Sequence, residues 1–340
     1  MIYIVSKGDY VSGGPETLHQ AANIFASMGQ RVGMFYVQPH SNKIPNRFKG
    51  YNVEVVSCII DSKDNILIVP ETQTYILAKY QKIKKCIWWL SLENYINTEP
   101  FFLVNWRMKV NHWPKFMFPV AYMGMILKGK IHRYRYRFED AGEFYHAYNC
   151  EYARRYILQN GVPKKKTLYL CGPLNQSFFD RSKEMSNEKR DNIILYNPEK
   201  GKIFTQKLIK EARIKGLDAV FCPIQNMTPD QIVELLAHAK VYMDFGNFPG
   251  PERIPREAVI MGCNIITSRN GAAANDIDVP IPDDLKFEDK DENIPDIIDK
   301  LRDMLQNYET YYPFYDEYRE KVVNQIRLLP VNAKILLERI

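Results

Sequence analysis

Short apolar runs recur along the whole chain, and stretches with helical spacing separate many of them. The runs are rich in Ile, Val and aromatic residues, which is typical of strands buried on both faces of a parallel sheet. Strands are predicted at residues 2–5, 32–37, 53–60, 66–69, 86–90, 144–148, 193–196, 219–223, 241–245 and 264–267. Helices are predicted at residues 16–28, 151–160, 205–215, 229–239, 253–261 and 294–305. This alternation predicts an α/β fold of two Rossmann-like, doubly wound domains that face a cleft.

The strand and helix pattern also predicts where the domains divide. The polar stretch 180–191 is typical of an interdomain linker. We therefore expect an N-terminal domain over residues 1–180 and a C-terminal domain over residues 181–307. Residues 308–340 are expected to form helices that cross back to the first domain.

Composition places the chain among ordinary globular proteins. It has 340 residues, of which 46% are hydrophobic and 25% charged, and no apolar run approaches the roughly 20 residues of a membrane-spanning helix. The N-terminus is predicted to be a core strand and lacks the features of a signal peptide. The six cysteines form no CxxC pair, so we expect buried thiols in a reducing compartment and a cytoplasmic protein.

One segment carries the positive charge of the protein. Residues 107–137 contain eight Lys or Arg and no Asp or Glu, whereas the net charge of the whole chain is +6. Within this segment an apolar stretch, 116–127, precedes alternating cations and aromatic residues at 128–137. The combination favours contact with an anionic membrane at its inner face. A solvated loop beside a core helix is the plain alternative, and single-stranded nucleic acid is the least favoured partner.

The most informative chemistry lies at a loop-to-helix junction within residues 246–271. Glu252, Arg253, Arg256 and Glu257 stand where the loop becomes a helix. A helix N-terminus offers free N–H groups and a positive dipole end, so two arginines there favour an anion. A neighbouring carboxylate accepts hydrogen bonds from sugar hydroxyls. Phosphate and ribose together indicate a nucleotide.

Two further loops follow predicted strands at the edge where open α/β sheets bind ligands. Gly13 and Gly14 open the first helix, where glycine lets a phosphate or sugar approach the backbone. Asn197, Lys200 and Lys202 follow the strand 193–196, and lysine there suits a diphosphate. The alternatives are a plain glycine turn and solvated lysines, since most lysines are exposed.

These motifs together resemble GT-B-fold glycosyltransferases, particularly the retaining group found in bacterial capsule and exopolysaccharide synthesis. Five segments carry the resemblance: Gly13-Gly14, the strand–helix–strand pattern of 144–170, Asn197-Pro-Glu-Lys-Gly, residues 227–245, and the helix-and-strand stretch 255–268. The resemblance implies a GT-B-like enzyme that transfers a sugar from a UDP-linked nucleotide sugar. The acceptor would be a saccharide or a lipid-linked saccharide.

The resemblance also implies roles for individual residues. Glu257 would hold the ribose, Lys200 or Lys202 the diphosphate, and loop 223–225 the base. The chain departs from the family at two positions: Pro249 replaces a glutamate, and Leu195 replaces an arginine. Arg253 or Arg256 is expected to supply the missing positive charge.

The chemical step leaves alternatives open at the sequence level. Glu93 follows the strand 86–90 and is a candidate for orienting an acceptor or acting as a base, although a purely structural role is the alternative. No metal-ligand spacing is present, so we expect no metal and no cofactor besides the donor. A nucleotide-sugar epimerase of the same fold and a catalytically inactive nucleotide- or sugar-binding protein are the rival functions.

Overall fold

The computed structural model describes residues 1–8, 12–37, 44–185 and 189–340, which form two compact units. The first unit comprises Met1–Gly172 with Leu328–Ile340, and the second comprises Pro173–Arg327. The strands are β1 Ile2–Lys7, β2 Val32–Val37, β3 Glu54–Val55, β4 Ile66–Pro70, β5 Lys84–Trp89, β6 Tyr145–Tyr148, β7 Thr167–Tyr169, β8 Asp191–Tyr196, β9 Val220–Pro223, β10 Ala239–Asp244, β11 Asn264–Ser268 and β12 Lys286–Phe287. The α-helices are α1 Gly13–Ser27, α2 Leu92–Asn97, α3 Pro100–Val110, α4 Phe118–Leu127, α5 Glu151–Gln159, α6 Gln176–Glu184, α7 Lys202–Ile214, α8 Pro229–His238, α9 Arg253–Ile260, α10 Ile294–Gln306, α11 Tyr308–Tyr311 and α12 Asp316–Arg339.

The first unit is built on a seven-stranded parallel sheet in the order β3-β2-β1-β4-β5-β6-β7. Alternate residues of β1 pack in two hydrophobic cores on opposite faces of the sheet. Tyr3 and Val5 belong to one core, and Ile2 and Ile4 belong to the other. Because side chains alternate across a strand, burial of both faces requires an unbroken apolar run. This requirement explains the strand pattern of the sequence.

The second unit holds a five-stranded parallel sheet in the order β12-β11-β10-β8-β9. Its central strand β10 is buried, with Val241, Tyr242 and Met243 at most 1% exposed. In this sheet β9, the strand that follows β8 in sequence, lies on one side of β8, and β10 lies on its other side. In such sheets the crevice outside the carboxyl ends of the two diverging strands is the usual ligand site. The topology therefore directs attention to the loops that follow β8 and β10.

The predicted α/β class with two doubly wound, Rossmann-like units is confirmed. The predicted strand 53–60 is wrong beyond Val55, because β3 is an edge strand that pairs only with Gly33 and Met34 of β2. The rest of that run leaves the sheet, and Ile60 and Cys58 are exposed. Cys58 is thus an exception to the expectation of buried thiols, and Cys222 is half-buried.

The polar stretch 180–191 begins inside a helix. Residues 180–184 belong to α6, where Asn175 Oδ1 accepts a hydrogen bond from the Ser177 N–H and where Phe178 and Phe179 are buried. Residues 186–188 of this stretch lie outside the described residues. The compact units divide earlier, between Gly172 and Pro173.

Helix α12 supplies residues to both units. Residues 316–327 belong to the second unit, and residues from 328 onward to the first. Leu329, Ala333 and Leu336 are each at most 1% exposed, and they pack in the same core as Ile2 and Ile4. The spacing of four and three residues places these side chains on one face of the helix.

Candidate functional site

Lys200 lies at the carboxyl end of β8, in the turn that leads into α7. Asn197 shapes this turn, because its Oδ1 accepts from the Glu199 N–H at 3.0 Å and its carbonyl accepts from the Lys200 N–H at 3.3 Å. The Lys200 Nζ lies 2.9 and 3.0 Å from the two carboxylate oxygens of Asp244, the last residue of β10. The same Nζ lies 3.8 Å from the centre of the Phe248 ring. The ammonium is therefore held in a fixed position at the point where the strand order reverses.

Asp244 is the buried counter-charge of Lys200. Its side chain is 1% exposed, and burial raises its pKa while the nearby Lys200 charge opposes the rise. A second carboxylate, Asp289, accepts from the Gly246 N–H at 2.7 Å and from Asn270 Nδ2 at 3.2 Å. Burial, followed by the charge of Asp244, raises the pKa of Asp289 to about 6. The loop after β10 is thus fixed through its backbone by a carboxylate from the loop after β12.

The loops that follow β8 and β10 touch through two glycines. Gly201 (φ +51°) precedes α7, and Gly246 (φ +103°) follows β10. A Cβ atom at Gly246 would lie 2.5 Å from the Gly201 nitrogen, and one at Gly201 would lie 2.7 Å from the Phe245 carbonyl carbon. Both positions require glycine because the φ angles are left-handed and the backbones are in contact. This close approach brings the N-terminus of α7 against the end of β10.

Helix α9 begins beside the same lysine. The carboxylate of Glu252, its N-cap residue, lies 3.8 Å from Lys200 Nζ. Arg253, the first residue of α9, pairs at 3.3 Å with Glu257 one turn later, and the Glu257 side chain is 7% exposed. Two helix N-termini, two cations and four carboxylates therefore lie at one end of the sheet. The helix N-termini and cations are suited to an anion, and the carboxylates to hydroxyl groups beside it.

The predicted site residues of this region fall into those that surround Lys200 and those that lie elsewhere. Asn197, Lys200, Arg253 and Glu257 belong to the connected group just described. Arg256 is 5% exposed, and its guanidinium donates to the Glu252 carbonyl at 3.1 Å and to Gln325 Oε1 at 2.8 Å. It joins α9 to α12 and fixes the helix start. Lys202, the first residue of α7, is exposed.

Gly13, Gly14 and Glu93 belong to the first unit. The two glycines form the first turn of α1 after the N-cap Ser12, whereas residues 9–11 of the preceding loop lie outside the described residues. A Cβ atom at Gly14 would meet Leu90 at 3.8 Å, an ordinary contact. The Leu90 N–H donates to the buried Glu71 at 2.9 Å, and Asn149 Nδ2 donates to the Leu90 carbonyl at 2.8 Å.

Glu93 lies in the first turn of α2, immediately after this anchored backbone. The Ser91 side chain caps the helix by accepting from the Asn94 N–H at 3.3 Å. Glu93 accepts a hydrogen bond from the Tyr152 hydroxyl, and burial together with the charge of Glu93 raises the pKa of Tyr152 to about 12. The carboxylate of Glu93 is therefore oriented by a tyrosine of α5.

Sequence reasoning missed several polar residues that organise these regions. Asp244 could have been found, because it is a carboxylate at the end of a mostly apolar strand, at the edge where parallel sheets usually bind ligands. Asp289 and Glu71 carry no such signal, since each acts on a loop distant in sequence. Among the described residues, no three His, Cys, Asp or Glu side chains come together as a metal site requires. The expected metal independence stays a prediction.

The two parallel sheets define the fold class of the protein. Two Rossmann-like units on parallel sheets of seven and five strands match the GT-B fold. The sequence itself matches no protein-family model and no curated protein.

Several solved structures share the fold over nearly the whole chain. A glycosyltransferase from Rickettsia africae has a TM-score of 0.61 at 13% identity, covering 99% of this chain and 96% of that one. HepE from Anabaena, solved in complex with UDP, has a TM-score of 0.60 at 10% identity and 99% coverage of both chains. Sucrose-phosphate synthase from Thermosynechococcus elongatus has a TM-score of 0.59 at 13% identity, covering 99% and 98%. The resemblance to the GT-B fold is thereby confirmed.

Proposed function

We propose that this protein is a glycosyltransferase of the hexosyl-transferring type that uses a nucleotide sugar, with UDP as the nucleotide. The observation that carries the proposal is the fixed Lys200 ammonium at the carboxyl ends of β8 and β10, between the starts of α7 and α9. HepE, which shares the fold, was solved in complexes with UDP and with UDP-glucose. That likeness supports the choice of nucleotide.

The proposed chemistry rests on charge stabilisation of the leaving group. As the bond between sugar and diphosphate breaks, negative charge grows on the diphosphate, and cations already in position lower the barrier. Lys200 supplies a point charge, and the N–H groups at the starts of α7 and α9 supply hydrogen-bond donors. Asp244 positions Lys200, Glu257 accepts from the ribose hydroxyls, and Arg256 positions the start of α9.

Calorimetric titration with UDP tests the donor site. We expect the double variant Lys200→Gln/Asp244→Asn to bind UDP about ten- to a hundredfold more weakly, because a charge-assisted hydrogen bond contributes about 1.5–3 kcal/mol. Changing both residues avoids leaving a buried carboxylate without its partner. Lys210→Gln, an exposed lysine of the same helix α7, is the matched control and should leave the affinity unchanged. Unchanged UDP binding in the folded double variant would refute this site.

A saccharide or lipid-linked saccharide of surface polysaccharide synthesis is the proposed acceptor. The support is the basic segment 107–137, which suits work at the inner face of an anionic membrane. Incubation with a radiolabelled nucleotide sugar and membrane extracts should transfer label to an organic-soluble or polymeric product. Label that remains on the nucleotide sugar with every extract would oppose this acceptor.

An inactive nucleotide-binding protein is the second candidate, because Pro249 stands where the resembling family has a glutamate. Slow hydrolysis of the labelled nucleotide sugar in the absence of acceptor distinguishes the two functions. An active transferase releases the labelled sugar to water, whereas a binding protein leaves the donor intact while still being stabilised against heat by UDP.

A further inference from the structure

Helices α3 and α4 form a hairpin that exposes a concentrated set of apolar side chains. Half of the large hydrophobic residues exposed in the described part of the chain lie in residues 101–127. They are Phe101, Phe102, Trp106, Val110, Trp113, Phe116, Val120, Met123, Ile126 and Leu127. Patches of this extent on a soluble surface mark places where another surface binds.

The hairpin has only a small core of its own. Val104 and Met108 of α3 pack with Ala121 of α4 and Ile131, whereas Ala121 is the one buried residue of α4. Helix α4 contains no charged residue, and helices that are apolar all round are normally buried in a protein core or in lipid. The exposure of α4 is therefore costly in water, and a covering surface would relieve this cost.

The charges around the hairpin indicate which surface covers it. Six exposed cations, Arg107, Lys109, Lys115, Lys128, Lys130 and Arg133, form no ion pair with another described residue. Residues 100–138 contain no Asp or Glu, whereas the flanking Glu99 pairs with Arg135 and Arg137. An apolar surface with only positive charge around it matches an anionic bilayer, which offers hydrocarbon and phosphate together.

The positions of the four tryptophans also favour a bilayer as the covering surface. Trp88 and Trp89 are fully buried in β5, whereas Trp106 and Trp113 are 59% and 44% exposed in the hairpin. Tryptophan is enriched at the boundary between headgroups and hydrocarbon, where an apolar ring and a polar N–H are both satisfied.

We propose that the α3–α4 hairpin is a monotopic anchor that inserts its apolar side chains into one leaflet of an anionic membrane. The ten residues of α4 extend about 15 Å, half the roughly 30 Å of hydrocarbon in a bilayer, so the hairpin enters one leaflet and does not cross. No helix in the described residues has the length and apolar character needed to span a membrane. The anchor stands on the hairpin alone and does not depend on the donor site.

Sedimentation of the full chain with vesicles tests the anchor. The protein should bind vesicles of phosphatidylglycerol and phosphatidylcholine in equal parts, and bind pure phosphatidylcholine vesicles far more weakly. Phe116→Ser/Leu127→Ser should reduce the partition coefficient at least about tenfold for each side chain removed. Lys128→Gln/Lys130→Gln should reduce it about fivefold per charge, and added salt should have a similar effect.

Two control variants change residues outside the hairpin. Ile60→Ser removes an apolar side chain that is 61% exposed, and Lys49→Gln/Lys63→Gln removes two exposed charges. Both controls should leave vesicle binding unchanged. Controls that lose as much binding as the hairpin variants, or failure of the unaltered protein to bind anionic vesicles, would overturn the anchor.

Tryptophan fluorescence separates insertion from loose electrostatic attachment. Anionic vesicles should shift the emission to shorter wavelength, and lipids brominated on their acyl chains should quench it. Trp106→Phe/Trp113→Phe should abolish both effects, while Trp88 and Trp89 continue to report the folded core. An unshifted spectrum would exclude insertion. A lipid-independent dimer that the Phe116→Ser/Leu127→Ser variant dissociates, seen by light scattering, would assign the surface to a second copy of the chain instead.

Discussion

At the scale of single residues, the proposed donor site gives separate roles to a cation and a carboxylate. Lys200, held by Asp244, faces the place proposed for phosphate, and Glu257 in the first turns of α9 is assigned to ribose. The two roles predict different ligand dependences. A variant at Glu257 should affect only ligands that contain a ribose, whereas a variant at Lys200 should affect every ligand that contains a diphosphate.

Glu257→Gln should weaken UDP binding about tenfold and leave the binding of inorganic pyrophosphate unchanged. The reason is that a charge-assisted hydrogen bond to a hydroxyl contributes about 1.5 kcal/mol, and pyrophosphate has no hydroxyl to offer. The double variant Lys200→Gln/Asp244→Asn should weaken both ligands. Calorimetric titration measures the four affinities. Equal loss of pyrophosphate and UDP binding in Glu257→Gln would contradict the ribose assignment.

The burial of Glu71 predicts that the stability of the first unit depends on pH. Burial raises the pKa of this carboxyl from 4.5 to about 7, although the Leu90 N–H and other backbone hydrogen bonds oppose the rise. A raised carboxyl pKa means that the folded state binds the proton more tightly than the unfolded state. The protonated Glu71 therefore contributes to the free energy of unfolding below about pH 4.5, and this contribution is lost as the pH rises to about 7. The shift corresponds to about 3 kcal/mol.

Glu71→Gln should therefore remove about 2.5 kcal/mol of the change in unfolding free energy between pH 5 and pH 8. Urea unfolding followed by tryptophan fluorescence measures this change, because all four tryptophans lie in the first unit. The unaltered protein at the same two pH values is the reference. A variant with the same pH dependence as the reference would show that Glu71 titrates normally.

At the scale of elements, the loops after β8 and β10 depend on the absence of two side chains. Gly246→Ala should destabilise the second unit by about 3–5 kcal/mol, through left-handed strain and contact with the Gly201 backbone. Gly216→Ala is the matched control, since its φ is +63° but nothing lies within 4 Å of its Cβ, and it should cost about 1 kcal/mol. Scanning calorimetry compares the two. Equal losses would show that crowding at Gly246 contributes nothing.

The elements also show what sequence could predict. Strands β1, β2, β4, β8 and β10 were predictable because both faces of a parallel strand are buried, which forces an apolar run. The helix α8 was predictable from its Thr228 cap and Pro229. Helix α3 was not predicted, and the stretch that forms α4 was considered only as a core helix, because their apolar residues do not follow the one-sided helical period of a surface helix.

The candidate site was predictable only in part, for a related reason. Lys200 follows a recognisable strand and Glu257 lies in the first turns of a recognisable helix, and the rule for open sheets places both at one edge. Lys200 pairs with Asp244, which is 44 positions away in the sequence, and Arg256 donates to Gln325, which is 69 positions away. No local pattern encodes such contacts, so Arg253 and Arg256 looked equivalent in sequence although only Arg253 lies beside the Glu257 carboxylate.

At the scale of the whole molecule, the first unit takes part of its core from residues far along the chain. Leu336→Ala should lower the free energy of unfolding of this unit by about 2–5 kcal/mol, because the leucine is 1% exposed and packs with the core of β1 and α1. Leu328→Ala is the matched control in the same helix, 40% exposed, and should cost less than about 1 kcal/mol. Tryptophan-monitored urea unfolding measures both. Similar costs would place Leu336 outside the core.

The same arrangement sets an order of events during synthesis. Residues 1–172 leave the ribosome first, but Leu329, Ala333 and Leu336 emerge only after residues 173–327 have been translated. At about 5–20 residues per second this interval lasts roughly 10–30 s. Throughout it, the core that β1 shares with α1 lacks these three apolar side chains. The part of the protein that is made first is therefore the part that is completed last.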